Sequence, residues 1–270
     1  MRICMATVSI GGSLQDKIEA IAAAGFDSLE LLDDDLARSG LAPEEFARRC
    51  ADLGLGVDLY QPFRRAEAVS DEEYPQVLKR FHAELEVMSR AGARAILVVS
   101  NTDEDALASR DVTMAQLAGL ADAAAEHGMT VMFEALAWGT HISRVAQARE
   151  VVQVVDHPAL SLVVDTFHQY AGGEDSLGDL TGAEVGFLQV ADAPRLSLEL
   201  KQWSRNHRCF PGEGEFDLAG PVAALLKSGY QGPLSLEIFN PGYRERSPYE
   251  VSRQGAEALR RFTGSLGVAL

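Results

Sequence analysis

The chain is short of cysteine, of aromatic residues and of positive charge. Its 270 residues include three cysteines, 7% aromatics, and 24 Lys and Arg against 40 Asp and Glu. Cys4, Cys50 and Cys209 are odd in number and match no zinc or redox spacing. Neither a disulfide framework nor a thiolate metal cluster is therefore expected, and the three thiols are read as reduced. The formal net charge of −16 repels nucleic acid and anionic membranes. A small anionic substrate stays admissible, because a few arginines reverse the sign inside a pocket. No apolar run approaches the roughly 20 residues of a membrane helix. The opening MRICMATVSIGG lacks the apolar core of a signal peptide. These absences predict a soluble, cytoplasmic protein with no membrane or nucleic-acid partner. The oligomeric state is left open, a homo-oligomer included. No Gly-rich phosphate loop follows the first apolar run, and no linker or low-complexity segment divides the chain.

What is present is one pattern, repeated. A helix-like stretch ends at a turn, usually with Gly, and an apolar run follows. The junctions are AAAGFDSLELL, ADLGLGVDLY, SRAGARAILVV, AEHGMTVMFE, VDHPALSLVVD and LKSGYQGPLSLEI. Gly there fits the left-handed position that closes a helix. Capping-box signals mark helix starts at residues 13–16 (SLQD), 70–73 (SDEE) and 247–250 (SPYE), the last with Pro248 at the first helical position. Strands are expected near 2–9, 28–32, 57–60, 95–100, 130–134, 160–165, 185–190 and 234–238. Helices are expected near 13–24, 43–53, 72–91, 112–127, 144–155, 217–228 and 248–264. The stretch 171–179 is Gly-rich and acidic, so any helix there is short. Residues 191–215 read as a long irregular loop after strand seven. Eight strands alternating with helices predict an α/β fold, a single-domain (β/α)8 TIM barrel over 1–270. A doubly wound open sheet is the alternative, disfavoured by the strand count and the missing phosphate loop.

Four side chains stand at or near the C-terminal ends of apolar runs: Glu134 in TVMFE, Asp165 in LSLVVD, Gln189 in VGFLQV and Glu237 in LSLEI. A run apolar on both faces is a strand buried in a parallel sheet, and an acid there is costly unless something positive meets it. Three carboxylates and an amide oxygen on four strand ends suggest a metal site at the catalytic mouth of a barrel. The all-oxygen set suits Mg²⁺ or Mn²⁺ better than Zn²⁺. The plainer reading is that each acid pairs with an arginine or caps the next helix. His168, three residues after Asp165, reads as a base beside the metal, with a ligand or a loop histidine as alternatives. Arg64 and Arg65 follow strand three, while Ser204, Arg205 and Arg208 lie in the long loop; arginine suits bidentate carboxylate recognition. His141 reads as a loop residue, and the glycines of PGEGE as a turn before a helix capped by Asp217.

At these residues the chain resembles the xylose-isomerase-like barrel superfamily of sugar phosphate isomerases and epimerases. Within it, the likeness is to bacterial 3-dehydroshikimate dehydratases. The matching stretches are LYQPFR, EALAWGTH, HPALSLVVDTFH, LQVADAP, WSRNHRCFPGEGEFDLAG and GYQGPLSLEIFN. Sugar epimerases of the superfamily usually carry His where this chain has Gln189. The resemblance implies a divalent metal (Mg²⁺ or Mn²⁺, with Co²⁺ an option) held by Glu134, Asp165, Gln189 and Glu237. It implies His168, Glu134 and Arg208 as catalytic residues, and Arg64, Ser204, Arg208 and His168 as contacts to a small anionic substrate. The implied activity is a hydro-lyase turning 3-dehydroshikimate into protocatechuate, in quinate or shikimate catabolism or in a biosynthetic role. Some relatives carry a dioxygenase-like domain after the barrel; a chain ending at Leu270 is expected to lack it.

Rival functions use the same frame. A ketose isomerase or epimerase needs no arginine-rich loop for a carboxylate. An inosose dehydratase also removes water beside a ketone, but from a neutral substrate. A base-excision endonuclease needs a basic face and extra metal-binding histidines, which a charge of −16 and six His do not supply. A non-catalytic binding barrel requires an incomplete metal site.

Overall fold

Each of the eight apolar runs forms a strand in the computed structural model, which describes residues 1–267. The strands are β1 (Ile3–Ala6), β2 (Ser28–Leu32), β3 (Gly56–Phe63), β4 (Ala95–Val99), β5 (Thr130–Glu134), β6 (Leu160–Asp165), β7 (Val185–Gln189) and β8 (Leu234–Leu236). They lie side by side in chain order, and β8 pairs with β1 to close a parallel barrel. Helices fill the intervals on the outside, so both faces of every strand are covered. That coverage is why the runs read as continuously apolar rather than alternating.

Alternation within each strand nevertheless decides which side chains meet at the axis. Cys4, Leu59, Ala95, Leu97, Val99, Val163 and Phe187 form the inner cluster. Their neighbours Leu29, Ile96, Val98, Val131, Phe133, Leu162 and Val164 join the larger core with the helices. Truncating a ring buried like Phe133, which is fully inaccessible, costs about 3–5 kcal/mol. Following the inner positions toward the C-terminal ends, apolar residues give way to Glu30, Gln61, Glu134, Asp165, Gln189 and Glu237. Val99 pairs in register with Glu134, and Asp165 with Gln189, so the polar layer sits at one level.

The helix–strand junctions follow their sequence signals. The junction glycines take positive φ, for example Gly92 at 80° and Gly128 at 65°. The VDHPA junction has no glycine, and there Asp156 itself turns left-handed at 46°. The box at Ser13 forms, with Asp16 returning a bond to the Ser13 backbone. The other two boxes differ from expectation. Ser70 and Glu73 exchange bonds of 3.3–3.5 Å that close a turn, and the helix starts later, at Tyr74–Ala91. Ser247 makes no side-chain cap bond, although Pro248 does open the helix Pro248–Ser265. Asp217 is not a cap either; Leu218 precedes the helix Ala219–Lys227.

The segment 191–215 is more ordered than its sequence suggested. Glu199 accepts bonds from the Lys201 and Gln202 amides and starts a helix, Leu200–His207. The buried Asp192 carboxylate then accepts from the amides of Gly212, Gly214 and Phe216 at 3.0–3.1 Å. A Cβ on Gly214 would stand 2.3 Å from the Asp192 Oδ1, so this close approach requires glycine. The bonded loop holds Ser204 and Arg208 over the barrel mouth.

Candidate active site

A cavity opens at the C-terminal end of the barrel. Its lining includes Gln61, Arg64, Glu134, Trp138, His168, Ser204, Arg205, Arg208, Glu237 and Phe239. Strand ends supply the acids, and the loops after β3, β5, β6, β7 and β8 supply the rest. The sequence-predicted residues Glu134, His168, Ser204, Arg208, Glu237 and Arg64 therefore converge. Asp165 and Gln189 lie buried in the same polar layer.

Arg208 organises the centre. It is 1% exposed, and its Nη1 donates to Asp165 Oδ2 at 2.6 Å and to Glu237 Oε2 at 3.0 Å. Nε and Nη2 donate to Ser204 Oγ at 3.2 and 3.0 Å. The guanidinium also lies 4.5 Å from the Phe167 ring centre and 5.2 Å from that of Phe239. Burial alone would lower its pKa, but Asp165 and Glu237 reverse that and hold it charged. The plainer expectation for the acids is thus met in part. Asp165 and Glu237 pair with an arginine, and Asp165 Oδ1 caps the helix Thr166–Ala171 through the Phe167 amide at 2.7 Å.

The pairing is incomplete. Glu134, Asp165 and Glu237 carry three formal negative charges against the one of Arg208. Burial, then the charges of Asp165 and Glu237, drive the Glu134 carboxyl well above its usual range. Burial also lifts Glu237, against the pull of Arg208, to about 7. Glu134 Oε1 and Gln189 Oε1 are buried with no hydrogen-bond partner among the described residues. Orphaned acceptors in a net-negative, desolvated layer call for a proton or a cation. Glu134, Asp165 and His168 bring ligand atoms within 4.8 Å of one another and can hold a metal ion. Glu237 instead turns to Arg208, and the ring nitrogen of His168 joins the donors in a set first read as all-oxygen.

His168 meets a hydrogen donor at each of its ring nitrogens. The Ala137 amide donates to His168 Nδ1 at 3.0 Å. A neutral imidazole that accepts at Nδ1 carries its hydrogen on Nε2. Burial, aided by Arg208 and opposed by Asp165, pushes the ring down to about 3 and keeps it neutral. Nε2 stands 3.8 Å from Asp165 Oδ2 and 3.1 Å from Arg208 Nη2. Arg208 Nη2 can only donate, so the neutral ring faces a donor at each nitrogen and accepts from one of them: acceptance at Nδ1 makes Nε2 the hydrogen donor, and the other tautomer leaves Nε2 a base. Trp138 packs edge-on against the ring at 4.8 Å.

The structure separates the two adjacent arginines. Arg65, at φ 50°, turns outward and pairs with Glu73, Asp103 and Asp105 at 2.6–3.1 Å. Arg64 lines the cavity and has no ion pair within 4.0 Å among the described residues. Burial lowers its pKa, with Arg205 acting in the same direction against Asp33 and Glu237. His141 lies outside the cavity. Its Nε2 is 3.1 Å from Thr113 Oγ1 and 3.4 Å from the buried Glu67, tying the loop after β5 to the helix Arg110–Glu126. Trp203 closes its loop, packing on Phe167 and Phe216 and donating to the Pro194 carbonyl. Sequence reading missed Glu30, Gln61, Trp138 and Phe239. For Glu30 the signal was available, since an acid inside the apolar run SLELL is as anomalous as the four acted upon.

The family model described as xylose isomerase-like TIM barrel matches residues 18–262. A 3-dehydroshikimate dehydratase of Pseudomonas putida is 40% identical over 261 residues, covering 96% of this chain and 41% of that protein. One of Pseudomonas aeruginosa is 43% identical over 246 residues, covering 90% and 39%. Among solved structures, a xylose isomerase-like TIM barrel/4-hydroxyphenylpyruvate dioxygenase fusion protein superposes with a TM-score of 0.96 at 39% identity, covering 98% of this chain and 43% of that one. The chain thus spans about two fifths of the length of these relatives.

Proposed function

The chain belongs to the xylose isomerase-like TIM barrel family, and from that premise we propose that it is a hydro-lyase converting 3-dehydroshikimate to protocatechuate and water. The observation that carries the reading is the pairing of two features in one cavity: a buried layer of under-neutralised acids, and an exposed Arg64 with no ion pair among the described residues, beside Arg205 and Arg208. The first suits a cation and proton transfer; the second suits a substrate carboxylate. Relatives at 40–43% identity across most of this chain support the same substrate.

Glu134, Asp165, Gln189 and Glu237 are the residues proposed to hold a divalent metal, Mg²⁺, Mn²⁺ or Co²⁺. When bound, such an ion supplies Lewis-acid polarisation of the substrate ketone. The C4 proton, α to the ketone, then becomes removable. His168 Nε2 is proposed to accept it, in the tautomer that carries its hydrogen on Nδ1. The proton so gained on Nε2 is proposed to pass to the departing C5 hydroxyl, which leaves as water. Loss of a C6 proton and protonation of the ketone oxygen then give the aromatic ring. Arg64, with Arg208 and Ser204, is proposed to bind the ring carboxylate through charge-assisted hydrogen bonds. A neutral inosose or ketose offers Arg64 no carboxylate partner and forfeits that interaction.

The test is incubation of Mn²⁺-loaded protein with 3-dehydroshikimate, an inosose and a ketohexose, following aromatic absorbance and ketone loss. Protocatechuate formation with strong discrimination against the neutral ketones is expected. Preference for a neutral ketone, unaffected by Arg64→Ala, would sink the substrate assignment and leave the barrel and its acidic layer standing.

A further inference from the structure

Glu30 lies wholly inside the barrel, 0% exposed, beneath the acidic layer. No lysine or arginine among the described residues pairs with it. Its partners are instead three polar side chains from three other strands. Gln61 Nε2 donates to Glu30 Oε2 at 2.7 Å, and Gln189 Nε2 donates to the same oxygen at 2.8 Å. Ser235 Oγ donates to Oε1. A buried carboxyl surrounded only by neutral donors is expensive to keep for packing alone, so its geometry needs another reason.

The reason lies in the amide of Gln189. Its two ends have nearly the same shape but opposite hydrogen-bonding character. Only the oxygen can bind a cation. Because Nε2 is held on Glu30, Oε1 is left at the other end of the amide, and Oε1 is the buried atom that finds no partner among the described residues. Without an acceptor at position 30, a turn of the amide by half a revolution would face the acidic layer with hydrogen donors and expel a cation. Both protonation states of Glu30 serve, because Oε2 accepts from the two amides whether or not Oε1 carries a proton.

We infer that Glu30 is the positioning residue of the cation site: by accepting from Gln189 Nε2 it selects the amide orientation that offers Oε1 as a ligand. The inference rests on the metal reading of the acidic layer given above. Glu30 touches neither substrate nor the reacting atoms, and it acts through Gln189.

Mn²⁺ titrations by calorimetry, independent of turnover, test this. Glu30→Gln keeps an acceptor for both amides and can turn its NH₂ to Ser235, so its affinity should stay close to wild type. Glu30→Met removes the acceptor and should weaken Mn²⁺ binding roughly 10–100-fold, the usual effect of losing an outer partner of a ligand. Adding Gln189→Glu to Glu30→Met should recover most of that loss, because a carboxylate presents an oxygen in either orientation. A residue needed only for packing would not be rescued in this way. Wild-type affinity in E30M, no rescue in E30M/Q189E, or an E30Q variant as weak as E30M would each overturn the role of Glu30 while leaving the metal reading intact. Wild-type protein that binds no Mn²⁺ would overturn both. If E30M does not fold, Q189E and E30Q/Q189E carry the test. The amide at position 30 relieves a carboxylate–carboxylate contact, so the double variant should bind more tightly, and equal affinity refutes the contact.

Discussion

Replacing Arg208 with Leu should destabilise the cation-free protein and at the same time tighten its grip on a divalent ion. Its guanidinium is 1% exposed and donates to Asp165 at 2.6 Å and Glu237 at 3.0 Å. Removing one side of a buried ion pair costs about 3–5 kcal/mol, because the remaining charges stay buried without a partner. At roughly 2–4 °C per kcal/mol for a chain of this size, the melting temperature should fall by about 6–20 °C. Mn²⁺ at a hundred times its Kd returns about 2.7 kcal/mol, and the ion no longer competes with the guanidinium for Asp165 and Glu237. The deficit should therefore be large in EDTA and much smaller in Mn²⁺. It should also shrink at pH 5.5 relative to pH 8, because the orphaned carboxylates can then take up protons. Thermal unfolding followed by circular dichroism, with EDTA or Mn²⁺ at both pH values, reads all of this. A cation-free R208L protein melting within two or three degrees of wild type, or equal stabilisation of both proteins by Mn²⁺, would refute the charge argument.

The remaining predictions concern protons and thiols. His168→Ala should lower kcat on 3-dehydroshikimate by at least about 100-fold. If His168 removes the C4 proton, H168A should also fail to exchange substrate C4–H with deuterated water; retained exchange would move the base role to another group. Glu237 titrates near 7 in the folded chain, above its ordinary 4.5. The cation-free protein should accordingly lose stability as pH rises through 7, and Mn²⁺ binding should release more protons at pH 6 than at pH 8. Calorimetry in buffers of different ionisation enthalpy measures that release, and equal release at both pH values would contradict the shift. Cys4, Cys50 and Cys209 are all buried and unpaired, and burial pushes both Cys50 and Cys209 up to about 12. A disulfide reagent at pH 8 should therefore label the denatured chain quickly and the native one slowly; rapid native labelling of any of the three would contradict this.

The sequence by itself determined the barrel and most of its mouth. Helix stop signals such as Gly92 and Gly128 and both-face-apolar runs such as AILVV specify local structure without long-range help. Glu134, Asp165 and Glu237 stood out because an acid in such a run is anomalous wherever the chain goes. Other features depended on groups distant in sequence. The helix Leu200–His207 and the Asp192 clasp inside the supposed irregular loop rest on bonds closed across as many as 24 residues. Arg64 and Arg65 are adjacent and chemically identical, and only the left-handed backbone at Arg65 sends one outward while the other lines the cavity. The donors that compete for the ring nitrogens of His168 are the Ala137 amide, 31 residues away, and Arg208, 40 residues away. The orientation of Gln189 is set by Glu30, 159 residues away. Local propensity and periodicity encode which elements form and which faces they bury. A proton's position or an amide's orientation is set by the particular donor or acceptor that barrel closure brings within hydrogen-bond distance, and only the tertiary structure decides that.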